Sequence, residues 1–129
     1  VEFRNKIHVR VISFGYKYGL PREADLVFDM RFIRNPFYIK KLSKLTGEDD
    51  EVKSFIKKQT NFNFFFETIS PFFDKIISGY KEEGKNYITI AFGCTGGVHR
   101  SVVSAINFYA TLKENNKLEV HLDHRDLNK

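Results

Sequence analysis

The sequence has a single cysteine, Cys94, among its 129 residues, which rules out a disulfide within the chain and favours a reducing compartment such as the cytoplasm. It also lacks any run of the roughly 20 apolar residues that a membrane-spanning helix needs, so we expect no membrane partner. The charged start, Val1-Glu2-Phe3-Arg4, has no initiator Met and is not a signal peptide, which predicts a domain taken from a longer parent. The histidines do not cluster with the cysteine at metal-ligand spacing, so no metal site is predicted.

What the chain does contain suffices for one folded domain over residues 1–129. Hydrophobic residues make up 42% and aromatic residues 16% of the sequence, a composition that argues against disorder. The length is that of one ordinary domain. The net charge of +5 permits a phosphorylated or nucleic-acid partner without requiring one, because the lysines are spread along the chain.

Apolar periodicity predicts alternating strands and helices. Strands are expected over 8–14, 24–28, 86–92 and 118–123, and helices over 48–58, 62–80 and 98–114. Pro71 should kink or break the second helix, and the third should turn Val102, Ile106, Tyr109 and Ala110 inward. This order predicts an α/β fold, three-layer-like, with a mainly parallel sheet of about four strands flanked by helices and a ligand loop at the C-terminal end of a strand.

The most informative segment, Gly93 to Ser101, joins the last-but-one strand to the helix that follows it. Its glycines allow the backbone to turn several amides toward one point. The start of the helix adds unpaired amides and the positive end of its dipole, and the guanidinium of Arg100 can bind two phosphate oxygens side by side. Together these features predict a site for a phosphorylated ligand.

Residues near the ends of neighbouring strands are further candidates. Asp29 follows the second predicted strand and should lie at the same edge of the sheet. Arg31 either pairs with Asp29, which is the preferred interpretation, or faces the ligand. Lys17 either reaches this edge or is an ordinary solvated lysine. His99 either contacts the ligand or caps and packs at the start of the helix.

Two other interpretations of the loop remain open. The order Cys-x-x-Gly-x-x-Arg-Ser is similar to the phosphate loop of cysteine-dependent phosphatases, in which Cys94 would be the nucleophile, Arg100 the phosphate clamp and Asp29 the general acid. Gly93 stands where those enzymes usually carry histidine. Alternatively, the chain is a scaffold for oligomerisation or RNA, and the loop is only a tight connection. The prediction we favour is a non-enzymatic regulatory module.

Several motifs, taken in order, resemble the C-terminal domain of the RapZ/YvcJ family of bacterial proteins. They are Ser13 to Pro21, Asp25 to Phe32, Asn35-Pro36, Leu45 to Gly47, Gly93 to Ser101 and His124 to Leu127. Members of that family join an N-terminal P-loop nucleotide-binding domain to this C-terminal one. No Gly-x-x-x-x-Gly-Lys-Ser/Thr loop occurs here, so the resemblance assigns ATP or GTP to the absent domain and implies no cofactor for this one.

The resemblance also implies a function. The best-known relative is an RNase adapter, which binds small regulatory RNAs, presents them to a ribonuclease and senses glucosamine-6-phosphate through this domain. The implied sugar-phosphate pocket consists of Asp29, Cys94, Thr95, Gly96, Gly97, His99 and Arg100. The implied RNA contacts are Lys117, His124, Arg125 and Lys129. So few cationic contacts predict weak, salt-sensitive RNA binding. We also expect a homo-oligomer.

Overall fold

The structure, a computed structural model, describes residues 6–129 and is built on one parallel sheet. The strands are β1 (Ile7–Gly15), β2 (Leu26–Asp29), β3 (Tyr87–Cys94) and β4 (Leu118–His124). They lie in the order β2-β3-β1-β4, and every neighbouring pair is parallel. The helices are α1 (Asp50–Lys57), α2 (Thr60–Glu82) and α3 (Arg100–Lys113). The predicted α/β fold is therefore confirmed; the charged start, Val1 to Arg4, lies outside the described residues.

All three helices contribute to one apolar core on one face of the sheet. Side chains alternate along each strand, so Val9, Val11, Ile88, Ile90 and Phe92 point to this face and are fully buried. Phe92 lies at its centre, with its ring centroid 5.5 Å from that of Phe108 on α3 and 5.8 Å from that of Phe66 on α2. The aromatic side chains thus join the helix layer to the sheet.

Helix α2 continues through Pro71 as one element from Thr60 to Glu82, so the predicted break does not occur. Proline costs a helix interior about 3 kcal/mol, but buried side chains on both sides of it, Phe66 and Phe73 among them, pack into the same core. Their burial holds the two halves together. Phe72, which lies in the helix predicted from apolar periodicity, is 57% exposed and so does not belong to this core.

The buried face of α3 agrees with the prediction at Val102, which is fully buried, and differs from it further along the helix. Phe108 and Leu112 are buried, whereas Ala110 is exposed and Ile106 and Tyr109 are only half-buried. The inward face begins with small residues, Ser101, Ser104 and Ala105, all fully buried. Two of these are serines, which an apolar pattern does not register, so the sequence placed the face about a third of a turn away.

The second face of the sheet has a smaller core. Ile12, Phe14 and Ala91 are buried there beneath Tyr16 and Ala24, which belong to the segment that follows β1. Within residues 6–129, the covering layer on this face is that segment, in which the residues Tyr16–Tyr18 form a short 3-10 helix, and none of α1 to α3 contributes to it. The expected three layers are thus a helix layer, the sheet and a partial loop layer at the C-terminal ends of the strands.

Candidate functional site

The C-terminal ends of all four strands meet at one edge of the sheet because the strands are parallel. Backbone hydrogen bonds tie the segments that leave this edge: the Lys17 amide donates to the Thr95 carbonyl at 3.2 Å, and the Met30 amide donates to the Gly93 carbonyl at 2.8 Å. The segment 95–99, which we call the glycine loop, leaves β3 at this edge and leads into α3. Such an edge is where α/β proteins bind ligands.

The glycine loop turns against the end of β1 at a very close backbone approach. Gly97 has a φ of 76°, and a Cβ built there would lie 2.6 Å from the Gly15 nitrogen. A Cβ built on Gly15 would in turn lie 2.4 Å from the Gly96 carbonyl carbon. Glycine is therefore required at 15 and 97 by space, and at 97 also by conformation.

Beyond this contact the loop is open. Thr95 is exposed, Gly96 is half-buried, and a Cβ built on Gly96 would meet no atom within 4 Å. Within residues 6–129, the backbone amides of residues 96–99 donate to no backbone carbonyl. Together with the start of α3, they form a concentration of unpaired donors of the kind that binds anions.

Cys94 is tied to the first turn of α3. Its thiol donates to the Ser101 hydroxyl oxygen at 3.1 Å, and the Ser101 amide donates to the Cys94 sulfur at 3.4 Å. The side chain is only 3% exposed. Cys94 therefore lies beneath the loop and links the strand to the helix.

Arg100 is 94% buried, since its exposed fraction is 6%, and its guanidinium is only partly satisfied. One terminal nitrogen donates to the carbonyls of Arg31 and Ile33 at 3.1 and 3.0 Å, and the other donates to the Thr95 hydroxyl at 3.4 Å. The Nε atom has no hydrogen-bond partner within the described part of the chain. A buried, unpartnered donor on a charged group is uncommon in folded proteins, and it is a position at which a bound water, ion or ligand can supply the missing acceptor.

Asp29 and Arg31 form a bidentate ion pair beside the loop. Arg31 Nε lies 2.9 Å from Asp29 Oδ1, and its terminal nitrogen lies 2.7 Å from Oδ2. The guanidinium also stacks 4.1 Å from the centroid of the Tyr16 ring. The hydrogen bond from Arg31 is the main cause that lowers the pKa of Asp29. The preferred interpretation of Arg31 thus agrees with the structure, and Asp29 is ionised.

His99 directly precedes α3, and its side chain is buried. It is 7% exposed, its side chain makes no capping hydrogen bond, and its Nε2 has no hydrogen-bond partner in the described residues. Burial lowers the pKa of His99, and a hydrogen bond to the backbone of Leu45 opposes this shift. The imidazole is therefore neutral at pH 7 and packs against the segment before α1. Lys17, by contrast, is exposed, with its ammonium 5.2 Å from the Tyr18 ring.

The four implied RNA contacts do not form one surface. Lys117 precedes β4, whereas His124 ends it, and a strand of this length spans roughly 20 Å. His124 Nδ1 lies 2.7 Å from the Ser13 hydroxyl, and Arg125 donates to the Gly19 carbonyl at 2.6 Å. Lys129 is ion-paired to Asp126 at 3.1 Å. Three of the four are thus engaged within the domain, at the edge that carries the glycine loop.

Sequence reasoning missed Asp126, which is fully buried at this edge. Its carboxylate accepts a hydrogen bond from the Gly15 amide at 2.7 Å. It lies in the polar tail, where no hydrophobic pattern marks burial. The only signal was its place in the His124 to Leu127 motif.

Two further properties bear on function. No group of three or more His, Cys, Asp or Glu side chains in residues 6–129 is arranged to hold a metal ion. None of the helices within that range combines the length and the apolar character needed to cross a membrane.

Fold and site together define a class, a parallel α/β domain with a glycine-rich loop between a central strand and a helix. Within that class the chain belongs to the RapZ C-terminal domain family, whose family model matches residues 7–128.

Relatives of the chain carry the name nucleotide-binding protein. Those from Endomicrobium trichonymphae and Carboxydothermus hydrogenoformans are 46% and 45% identical to it over 94% and 98% of its length. One from Thermoanaerobacter sp. strain X514 is 47% identical over 94% of the chain. The chain spans only 42%, 43% and 42% of these three proteins, respectively.

Proposed function

We propose that this domain is a regulatory module that binds a phosphorylated sugar at the glycine loop. The observation that carries the proposal is the buried Nε of Arg100, which has no partner within residues 6–129, beside amides at 96–99 that donate to no backbone carbonyl there. A phosphate dianion accepts hydrogen bonds from both groups, and charge-assisted bonds of this kind are about twice as strong as neutral ones.

The sugar we propose is glucosamine-6-phosphate, as the family resemblance implies. The Asp29 carboxylate, with a side chain 46% exposed, supplies a negative group near the loop that can attract the ammonium of an amino sugar. Phosphate at the glycine loop and ammonium near Asp29 would distinguish this ligand from glucose-6-phosphate. His99 supports the loop from below in this arrangement, since its imidazole is buried.

The experiment is a calorimetric titration with glucosamine-6-phosphate, glucose-6-phosphate, glucosamine and inorganic phosphate. The proposal predicts the tightest binding for the phosphorylated amino sugar, weaker binding for the two other phosphates and none for glucosamine. Equal binding of glucosamine with and without its phosphate would contradict the anion site. Asp29→Asn should remove the preference for the amino sugar over glucose-6-phosphate.

The wider role that we propose follows the family resemblance: a cytoplasmic, homo-oligomeric protein that binds small RNA, presents it to a ribonuclease, and carries ATP or GTP in its other domain. In this domain the RNA role has limited support, because Arg125 and Lys129 are ion-paired with Asp126. A gel-shift assay at two salt concentrations tests it. Absence of a complex even at low salt would contradict RNA binding by this domain.

A second candidate function is phosphoryl transfer, favoured by the hydrogen bonds between Cys94 and Ser101. In that reaction the deprotonated Cys94 sulfur bonds to phosphorus, the ester oxygen leaves with a proton from an acid, and water then cleaves the thiophosphate. Against it, Arg31 lowers the pKa of Asp29, which opposes a role as general acid. Gly93 also stands where those enzymes carry histidine, and a histidine there would require the Phe14 ring to shift, because a Cβ would lie 2.4 Å from it.

The assay for this second function is release of inorganic phosphate from p-nitrophenyl phosphate, whose leaving group needs little acid catalysis. Turnover by the wild type that is lost in Cys94→Ser would support the enzyme. No turnover in either protein, with binding retained in both, would support the regulatory module.

A further inference from the structure

The buried carboxylate of Asp126 is held by donors from three residues. It accepts a hydrogen bond from the Gly15 amide at 2.7 Å and two from the Arg125 guanidinium at 3.0 and 2.8 Å, and it is ion-paired with the Lys129 ammonium at 3.1 Å. A carboxylate with no exposed surface is strongly unfavourable unless it is paired in this way. The chain thus uses two of its cations and one strand-end amide to keep a single negative charge at this position.

The position of Asp126 explains why these donors surround its carboxylate. The Gly15 amide that it holds is the same atom that approaches Gly97, where a built Cβ would lie 2.6 Å from the Gly15 nitrogen and 3.1 Å from the Asp126 Cβ. The turn of the glycine loop therefore rests on a surface made of the Gly15 backbone and the Asp126 side chain. If the carboxylate moved, the end of β1 would be free to move, and so would the turn of the glycine loop that contacts it.

We propose that Asp126 is a positioning residue for the phosphate site: by fixing the Gly15 amide, it fixes where Gly97 turns, and so where the amides at 96–99 point. The inference rests on the proposed function, since it assumes that those amides bind phosphate. Asp126 acts through Gly15 and does not contact the ligand. Arg125 and Lys129 belong to this support and not to an RNA surface.

The experiment compares Asp126→Asn with the control Asp123→Asn. Asp123 lies in β4 and is ion-paired to Arg10 at 2.9 Å, with a side chain 45% exposed. Affinity for glucosamine-6-phosphate is measured by titration at a temperature where every variant is fully folded by circular dichroism. Asp126→Asn should bind about tenfold more weakly, the effect of losing one charge-assisted hydrogen bond, and Asp123→Asn should bind like the wild type. A purely structural role would lower the melting temperature of Asp126→Asn without changing the affinity of the folded protein.

Amide hydrogen exchange of Gly15 in the unliganded protein gives a readout that does not depend on the ligand. The Gly15 amide, which donates to Asp126, should exchange faster in Asp126→Asn than in Asp123→Asn, because local opening becomes easier. Unchanged exchange together with unchanged affinity would overturn the inference and leave the proposed function intact. If the wild type binds no phosphate, the proposed function fails, and slower or equal exchange in Asp126→Asn would still overturn the positioning role.

If Asp126→Asn does not fold, Lys129→Gln provides the same test in a milder form. It removes one donor to Asp126 from a side chain that is 50% exposed. A severalfold loss of affinity with faster Gly15 exchange is expected, and wild-type values for both would overturn the inference.

Discussion

Replacing Gly97 by alanine tests how tightly the glycine loop is constrained. The residue has a φ of 76°, and forcing a residue with a Cβ into the left-handed region costs about 1–2 kcal/mol. The new Cβ would also lie 2.6 Å from the Gly15 nitrogen and 2.9 Å from the Phe14 carbonyl carbon. These are backbone atoms that cannot rotate away, and overpacking of this kind costs about 1–3 kcal/mol more.

The sum for Gly97→Ala is a loss of about 2–5 kcal/mol in the free energy of unfolding. For a domain of this size, that corresponds to a fall of at least about 6 °C in melting temperature. The matched control is Gly96→Ala, whose Cβ would meet no atom within 4 Å; a surface change without such contacts stays within about 0.5 kcal/mol of the wild type.

The assay is urea unfolding followed by circular dichroism, with thermal unfolding beside it. Gly97→Ala should have a clearly lower midpoint than Gly96→Ala, although the two changes are one residue apart and add the same methyl group. Equal midpoints would refute the close approach between Gly97 and Gly15, and with it the account of how the loop is held.

Three further predictions concern other parts of the molecule. Phe108→Ala truncates a fully buried ring and should lower the free energy of unfolding by about 3–5 kcal/mol, whereas Phe64→Ala, at a ring 69% exposed, should change it by less than about 0.5 kcal/mol. Urea titrations measure both values, and equal effects would contradict the described core. Burial lowers the pKa of His99 and His124, so the unfolded chain binds protons more readily, and the free energy of unfolding should fall as the pH drops below about 6.5. Urea midpoints at pH 7 and pH 5 measure this loss, and the difference between the two midpoints should be smaller in His99→Gln. Cys94→Ser should keep its affinity for glucosamine-6-phosphate in a titration, since the regulatory proposal gives the sulfur no reaction to perform; loss of binding would indicate that the thiol itself holds the loop or the ligand.

The strands and helices could be predicted from the sequence because their signals are local. β-Branched runs and the helical spacing of phenylalanines placed β1, β3 and α2 to within a few residues of their bounds in the structure. Local signals failed where long-range packing decides the outcome. The continuity of α2 through Pro71 depends on packing into the core, and the inward face of α3 includes small serines that are fully buried.

The candidate site shows the same division. The glycine loop was visible because glycines, arginine and a strand-to-helix junction are adjacent in sequence. The role of Asp126 was not visible, since it depends on the tail returning to the end of β1, 111 residues away. The carbonyls of Arg31 and Ile33, which hold Arg100 from 69 and 67 residues away, were equally hidden. Sequence thus predicted the groups that we propose to face a ligand, while their supports required the fold.

The central claim is that a phosphate group binds at the glycine loop and is held by Arg100. The most direct measurement is the affinity for glucosamine-6-phosphate of the wild type, of Arg100→Ala and of a control, Arg22→Ala, which removes an exposed arginine. The expected result is equal affinity in the wild type and in Arg22→Ala, and affinity at least about tenfold lower in folded Arg100→Ala, which loses the charge-assisted hydrogen bond from Nε. Equal affinity in all three proteins would contradict it.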